Sequence, residues 1–382
     1  MRTFQTRDGV GPANRAADDG MGPGKVSLVQ QLQAQPDVTP QAGSAPAPVQ
    51  RKEDATPDPL SPVQAAIAVS FYQSKPDLYG EDVILKIQHA VHSPETGKPD
   101  PAMAQGVARF QQETVLKVDG MAGPRTLPRL FQSGLATETD RKAFVASGKA
   151  VEAKWTELAT PKARAEELFK GVKTLLDNEK VPTPKVDLGD TGKAAGVFSG
   201  RSWTITFDQT TFSAASIDDD TARDVSGTVY HEARHAEQQH KMARMLATRG
   251  NSAAQIHAKM RVPTKIADDA FGNPLPRGIE FATAAQQFDS EFGAGKAHFE
   301  QAEAAAPSNA ELQAAKAAAT ADPSPANKAK YARLVAAFKA YHDLPTENDA
   351  FNTEGDLAAT WDETTAAATP PAPAAPAAPA AP

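Results

Sequence analysis

His231-Glu232-Ala233-Arg234-His235 is the stretch on which the reading of this chain turns. Its two histidines stand four residues apart. On a helix, positions i and i+4 lie one above the other on the same face. His231 and His235 can therefore direct two imidazoles at one metal ion, with Glu232 beside the first. The flanks favour a helix. No proline occurs from Thr221 to Thr248, and Asp220 or Thr221 is placed to cap the start. Val225, Val229, Ala233, Ala236, Met242, Met245 and Leu246 form an apolar stripe at helical spacing. Gly250-Asn251 reads as a stop. Gly227 is the weak point, costing about 1 kcal/mol against Ala in a helix interior.

The pentapeptide matches H-E-x-x-H, the zinc-binding signature of a large class of metallohydrolases. The resemblance implies zinc on His231 and His235, with Glu232 taking the proton of a zinc-bound water. The alternative is an exposed helix face with two solvated histidines. Of the other histidines, His240 reads as solvated or as a neighbour of the ligands. His89, His92, His257, His298 and His342 have no partner at ligand spacing.

Catalytic zinc usually has three protein ligands and one open position. A histidine shortly after His235, in a G-x-x-H extension, is absent. Leu344-Pro345-Thr346-Glu347-Asn348-Asp349-Ala350-Phe351 offers a carboxylate on a later helix, begun by Pro345 and Thr346. This resembles the gluzincin arrangement, in which a downstream E-x-x-A or E-x-x-x-D helix completes the site. It implies Glu347 as third ligand and Asp349 as a carboxylate orienting a ligand histidine. The separation from His235, more than a hundred residues, is long for that group. Glu354 and Glu291 are rival ligands, and Glu347 could simply cap a helix. Tyr341 is the expected oxyanion donor. His342, Tyr230 and Arg234 are alternatives.

Val197 to Phe207 reads as a hairpin turning at Ser199-Gly200. Trp203, Ile205 and Phe207 alternate with polar residues at the period of a half-buried strand. In zincins such a strand pairs with extended substrate; a plain core strand is the alternative.

Residues 63–133 carry a second signal. A helix ending Ile87-Gln88 is followed by one ending Phe110-Gln111. Then comes Val118-Asp119-Gly120-Met121-Ala122-Gly123-Pro124-Arg125-Thr126, and Asp100 precedes the middle helix. This closely resembles the peptidoglycan-binding-domain-1 family, a three-helix bundle often joined to cell-wall hydrolases. The resemblance implies that fold and peptidoglycan as a partner. A bundle that has lost glycan binding is the alternative.

The fold expected is mainly α with a small β-hairpin or sheet (α+β): a three-helix peptidoglycan-binding-like bundle, then a zincin-like catalytic domain over 134–366. Within that domain, residues 303–330, rich in Ala and broken by Pro323 and Pro325, read as a helical insertion of two short helices. Residues 1–62 and the Ala/Pro-rich 367–382 cannot bury a core and read as disordered. A net charge of -7 and a pI near 5.7 argue against nucleic acid as a partner. No apolar run is long enough to span a membrane. There are no cysteines, so thiolate ligands and disulfides are excluded.

The N-terminus lacks the apolar stretch of a Sec signal. Gly24 to Leu32, followed by Pro48-Val49-Gln50-Arg51-Lys52, resembles leaders of proteins linked to extracellular contractile injection systems. That implies a bacterial cargo or accessory protein, made in the cytoplasm and delivered by an injection particle. The function expected is a zinc metallopeptidase, a hydrolase acting on a peptide or protein substrate. A non-enzymatic structural or docking protein of such a particle, with a closed or vestigial zinc site, is the rival.

Overall fold

The structure is a computed structural model and describes residues 58–191 and 194–368. The leader up to residue 57 and the tail from 369 lie outside the described residues. The architecture is mainly helical with one small sheet, as expected.

Four helices build the N-terminal bundle: α1 (Pro62–Gln73), α2 (Glu81–Ala90), α3 (Pro101–Glu113) and α4 (Thr126–Leu130). Ser61 caps α1, in a capping box with Gln64. Asp100 caps α3 through the Met103 amide at 2.8 Å. Tyr72, Val83, Ile84, Ile87, Met103, Val107 and Leu127 fill the interior. Two buried glutamines explain the Ile-Gln and Phe-Gln signatures. Gln88 accepts from the Gly97 amide and donates to the Lys98 carbonyl. Gln111 accepts from the amides of Asp119 and Gly120 and donates to the Met121 carbonyl. Each glutamine thus satisfies the backbone of the turn that follows its helix. Gly120 has φ +71°, and a Cβ there would lie 2.6 Å from Leu60 Cδ1, so the Asp-Gly turn needs glycine. Thr126 opens α4 without capping it; its hydroxyl instead receives Gln111 Nε2 at 3.1 Å.

The rest of the chain is arranged around one long helix. In order come α5 (Glu138–Ala153), α6 (Pro161–Asn178), β1 (Lys185–Gly189), β2 (Gly196–Ser199), β3 (Thr204–Asp208), α7 (Gln209–Ser213) and α8 (Asp219–Thr248). The remaining helices are α9 (Ala253–Met260), α10 (Thr264–Gly272), α11 (Ile279–Glu291), α12 (Lys296–Ala305), α13 (Asn309–Ala321), α14 (Pro325–His342) and α15 (Pro345–Ala368). α8 is the central helix, about 45 Å long at 1.5 Å per residue. It is buried on most faces between Val225 and Leu246, because α5, α6, α10, α11, α15 and β2 all pack on it. Its cap is Asp218, bonded to the Thr221 amide at 2.8 Å, and not Asp220 or Thr221. It stops as expected at Gly250, which has φ +82°.

β2 and β3 form the predicted antiparallel hairpin, and β1, unforeseen, adds to β3 in parallel, giving the order β1-β3-β2. Trp203 lies in the turn with φ 53° rather than in the strand. Its indole N–H donates to the Pro182 carbonyl. One apolar cluster runs from Tyr72 and Leu127 through Leu135, Phe144 and Tyr230 to Trp361, so the bundle and the helices around α8 share a core.

Where two short helices were expected over 303–330, the chain forms parts of three. Three helices, α12 to α14, span Lys296 to His342, broken at Pro307 and again at Pro323 and Pro325. α14 buries no side chain fully. α12 and α14 line the cavity over the face of α8 that carries the histidine pair, and α13 packs against α14.

Candidate metal centre

His231, Glu232 and His235 sit on α8 where it passes beneath α15. The structure brings Glu347, in the first turn of α15, onto the histidine pair. His231 Nε2 and His235 Nε2 are 3.1 Å apart. Glu347 Oε2 lies 3.7 Å from the first and 3.5 Å from the second. These three residues are the only group with metal-ligand geometry among the described residues.

Hydrogen bonds on the far side of each ring fix which nitrogen is free. His231 Nδ1 is 3.0 Å from Glu354 Oε2; a carboxylate only accepts, so Nδ1 carries the proton. His235 Nδ1 is 2.9 Å from Gln238 Oε1. The Gln238 amide is itself oriented, because its Nε2 donates to the Thr346 carbonyl and to Asp349 Oδ2. Asp349 is held in turn by Arg234. Both Nε2 lone pairs therefore face one another across 3.1 Å, and Glu347 Oε2 is buried with no hydrogen-bond donor. Three converging acceptors repel one another unless a cation lies between them. Tetrahedral zinc at its usual bond lengths separates its ligands by about 3.3 Å. The residues present fit that ion.

The charges reflect this packing. Burial raises Glu347, but the two imidazoles outweigh it and hold the carboxyl far below the usual range. Burial lowers both histidines, yet the facing carboxylates leave them above the usual imidazole value: the same cluster that would hold a metal cation draws a proton onto Nε2 when no metal is bound. Burial pushes the Glu232 carboxyl up, against the pull of His231 and His235. Glu232 Oε2 accepts from the Phe198 amide of edge strand β2 at 2.7 Å. That bond anchors one carboxylate oxygen beside the histidines.

The remaining predicted residues divide. Tyr341, at the end of α14, faces the site: its hydroxyl meets the Glu347 carboxylate, and burial with that charge raises it strongly. His342 stacks on Phe351, with ring centroids 4.7 Å apart. Tyr230 and Arg234 do not reach the site. Tyr230 donates to the Leu135 carbonyl, and Arg234 pairs with Asp349 and Glu237, because both point from the opposite side of α8. Asp349 touches neither histidine directly; it reaches His235 only through Gln238. Glu354 lies instead on His231 Nδ1, the place expected for Asp349, and Glu291 accepts from Gln239 at 3.1 Å. His240 is fully buried, not solvated, with Nε2 on Asp269 at 2.9 Å and its ring edge-on to Trp203. Gln238 was missed by sequence reasoning, although its place three residues after His235 on the same helix face was legible.

Gly227, the weak point of the helix, has a packing reason. A Cβ there would come 3.2 Å from Glu354 Cγ and press on the carboxylate that orients His231.

In comparison with known proteins, residues 85–130 match the family model described as "Putative peptidoglycan binding domain". The chain thus contains a peptidoglycan-binding-family module. No curated protein and no solved structure matches the chain. No helix among the described residues is long and apolar enough to cross a membrane.

Proposed function

We propose that this chain is a zinc-dependent hydrolase of amide bonds, a metallopeptidase, whose peptidoglycan-binding-family module directs it to cell-wall peptide or wall-associated protein. One observation carries the reading: two bare imidazole Nε2 atoms and an orphaned carboxylate oxygen converge at zinc-ligand spacing, next to a raised glutamate. His231, His235 and Glu347 would hold the ion, which when bound supplies a Lewis acid that acidifies water and polarises a carbonyl.

The protein side supplies the rest. Glu232, pinned through Oε2 by the Phe198 amide, keeps Oε1 to accept the proton of the attacking water and pass it to the departing amine. Tyr341 is the donor available to the oxyanion as the carbonyl becomes tetrahedral. Glu354 and Gln238 keep both Nδ1 atoms protonated, so the Nε2 atoms stay free.

A closed structural site would have a fourth protein ligand. His240, the side chain expected for that place, is committed to Asp269, which favours the open, catalytic reading. Delivery by a contractile injection particle rests on the leader sequence, which lies outside the described residues.

Elemental mass spectrometry on the purified protein tests the reading. About one zinc per chain is expected in the wild type, and much less in His235→Ala and Glu347→Ala. Wild-type protein that takes up no zinc when supplied with it would overturn the reading.

A further inference from the structure

We propose, resting on the metallopeptidase reading, that the cavity over the histidine pair selects a peptide with a cationic side chain, an ammonium or guanidinium on an aliphatic stem, beside the scissile amide, and that Glu291 and Glu303 hold its charge.

The cavity has a volume of about 400 Å³. α8 forms its floor, β2 and α15 its sides, and α12 and α14 its roof. That it receives a ligand stands independently on Glu347, which is 6% exposed and turns an oxygen without a donor into this space. Five carboxylates line the cavity, and no lysine or arginine does. Three of the five belong to the histidine site: Glu347 Oε2 faces the two Nε2 atoms without a donor of its own, Glu354 receives His231 Nδ1, and Glu232 receives the Phe198 amide.

Glu291 and Glu303 remain. Glu291, at the end of α11, accepts from the neutral Gln239 amide. Glu303, on α12, stands close enough to raise it further. Among the described residues no lysine or arginine pairs with either; Lys296, whose charge acts on Glu303, is engaged by Glu300. Glu291 is half-buried and Glu303 exposed; burial, against the pull of His235 and with Glu347 and Glu303 adding, moves the Glu291 carboxyl up to about 8.

A cation arriving from solvent would relieve both carboxylates, whereas an anionic side chain would be repelled. A second metal ion is a weaker occupant, since Glu291 and Glu303 belong to no group of ligand geometry. The same walls carry Phe299, Pro307, Phe338 and Val197. Lysine and arginine stems lie along such apolar surface while their heads reach polar groups.

The test uses the zinc-loaded full chain carrying Glu232→Gln, so that ligands are bound and not cleaved. Isothermal titration calorimetry compares N-acetyl-Ala-Lys-Ala-amide with its norleucine and acetyl-lysine counterparts, which keep the stem and lose the charge. The lysine peptide is expected to bind about tenfold more tightly than either. Glu291→Gln combined with Glu303→Gln should erase that preference and leave zinc content unchanged. Equal binding of the three peptides, or no binding of the lysine peptide up to about 5 mM, overturns the inference while the zinc reading stands. Failure of the protein to take up zinc is a separate result; it removes the metallopeptidase reading and this inference with it.

Discussion

His231 and His235 face each other through Nε2 atoms 3.1 Å apart while each donates its Nδ1–H in the opposite direction, to Glu354 and to Gln238. Solvated imidazoles one helical turn apart have no reason to adopt this arrangement. It leaves two lone pairs aimed at one point, and Glu347 Oε2 completes a triangle around it. The site is therefore held ready by its outer hydrogen bonds, and its chemistry depends on what sits at the centre.

Glu232 is expected to act on protons and not to hold the metal. Glu232→Ala should retain about one zinc per chain and lose on the order of a hundredfold or more in amide hydrolysis. Loss of zinc together with activity, measured on the same preparation, would show that its role is ligation.

The outer carboxylate Glu354 should tune metal affinity without being a ligand. Removing such a partner typically costs 10- to 100-fold in affinity, so Glu354→Ala should weaken zinc binding by about that factor in competition with a chelator. Gly227→Ala should do the same more mildly by pressing on Glu354. Undiminished zinc affinity in Glu354→Ala would mean that His231 is oriented by its packing alone, for instance against Phe351.

Acid should unfold the protein in two stages. Burial lowers His240 to about 4, with Asp269 opposing. A depressed histidine means the unfolded chain binds the proton more readily, so stability is full above about 6.5 and falls toward pH 4. Glu237 is held at about 2: burial raises it, but Arg234 and Lys241 outweigh burial. Its contribution is full above about 4.5 and is lost as pH falls toward 2. His240→Gln should flatten the first stage in thermal melts taken from pH 7 to pH 3. Glu237→Gln should cost on the order of 3 kcal/mol at neutral pH, since Arg234 and Lys241 stay buried. An unchanged melting profile for both variants would contradict this account.

The N-terminal module should bring the chain to the cell wall. The full chain is expected to co-sediment with purified sacculi. Gln111→Leu should weaken that association, because the amides of Asp119 and Gly120 lose their acceptor and the Asp-Gly turn loosens. Sacculi that leave the wild-type chain in the supernatant would mark a bundle that has kept its fold and lost its ligand.

By itself the sequence determined the features set by local periodicity and turn chemistry. The long helix through His231 and His235, the helix beginning at Pro345, the strand alternation of Ile205 and Phe207, and the Gln-plus-turn pattern of the bundle all depend on neighbours within a few residues. Only the tertiary structure decided which distant groups meet. Glu354 and Glu347 stand two turns apart on one helix, and by sequence either could have faced the two Nε2 atoms. The depth at which α15 crosses α8 puts Glu347 on the Nε2 side and Glu354 on the Nδ1 side. His240 resembled a solvated histidine because nothing near it in sequence announces Asp269 or Trp203. The roof of α12 and α14 was equally hidden: Tyr341 could be named from its place just before Glu347, but nothing near Glu303 in sequence announced it. Contacts across many tens of residues depend on how whole faces pack, and no spacing along the chain encodes them.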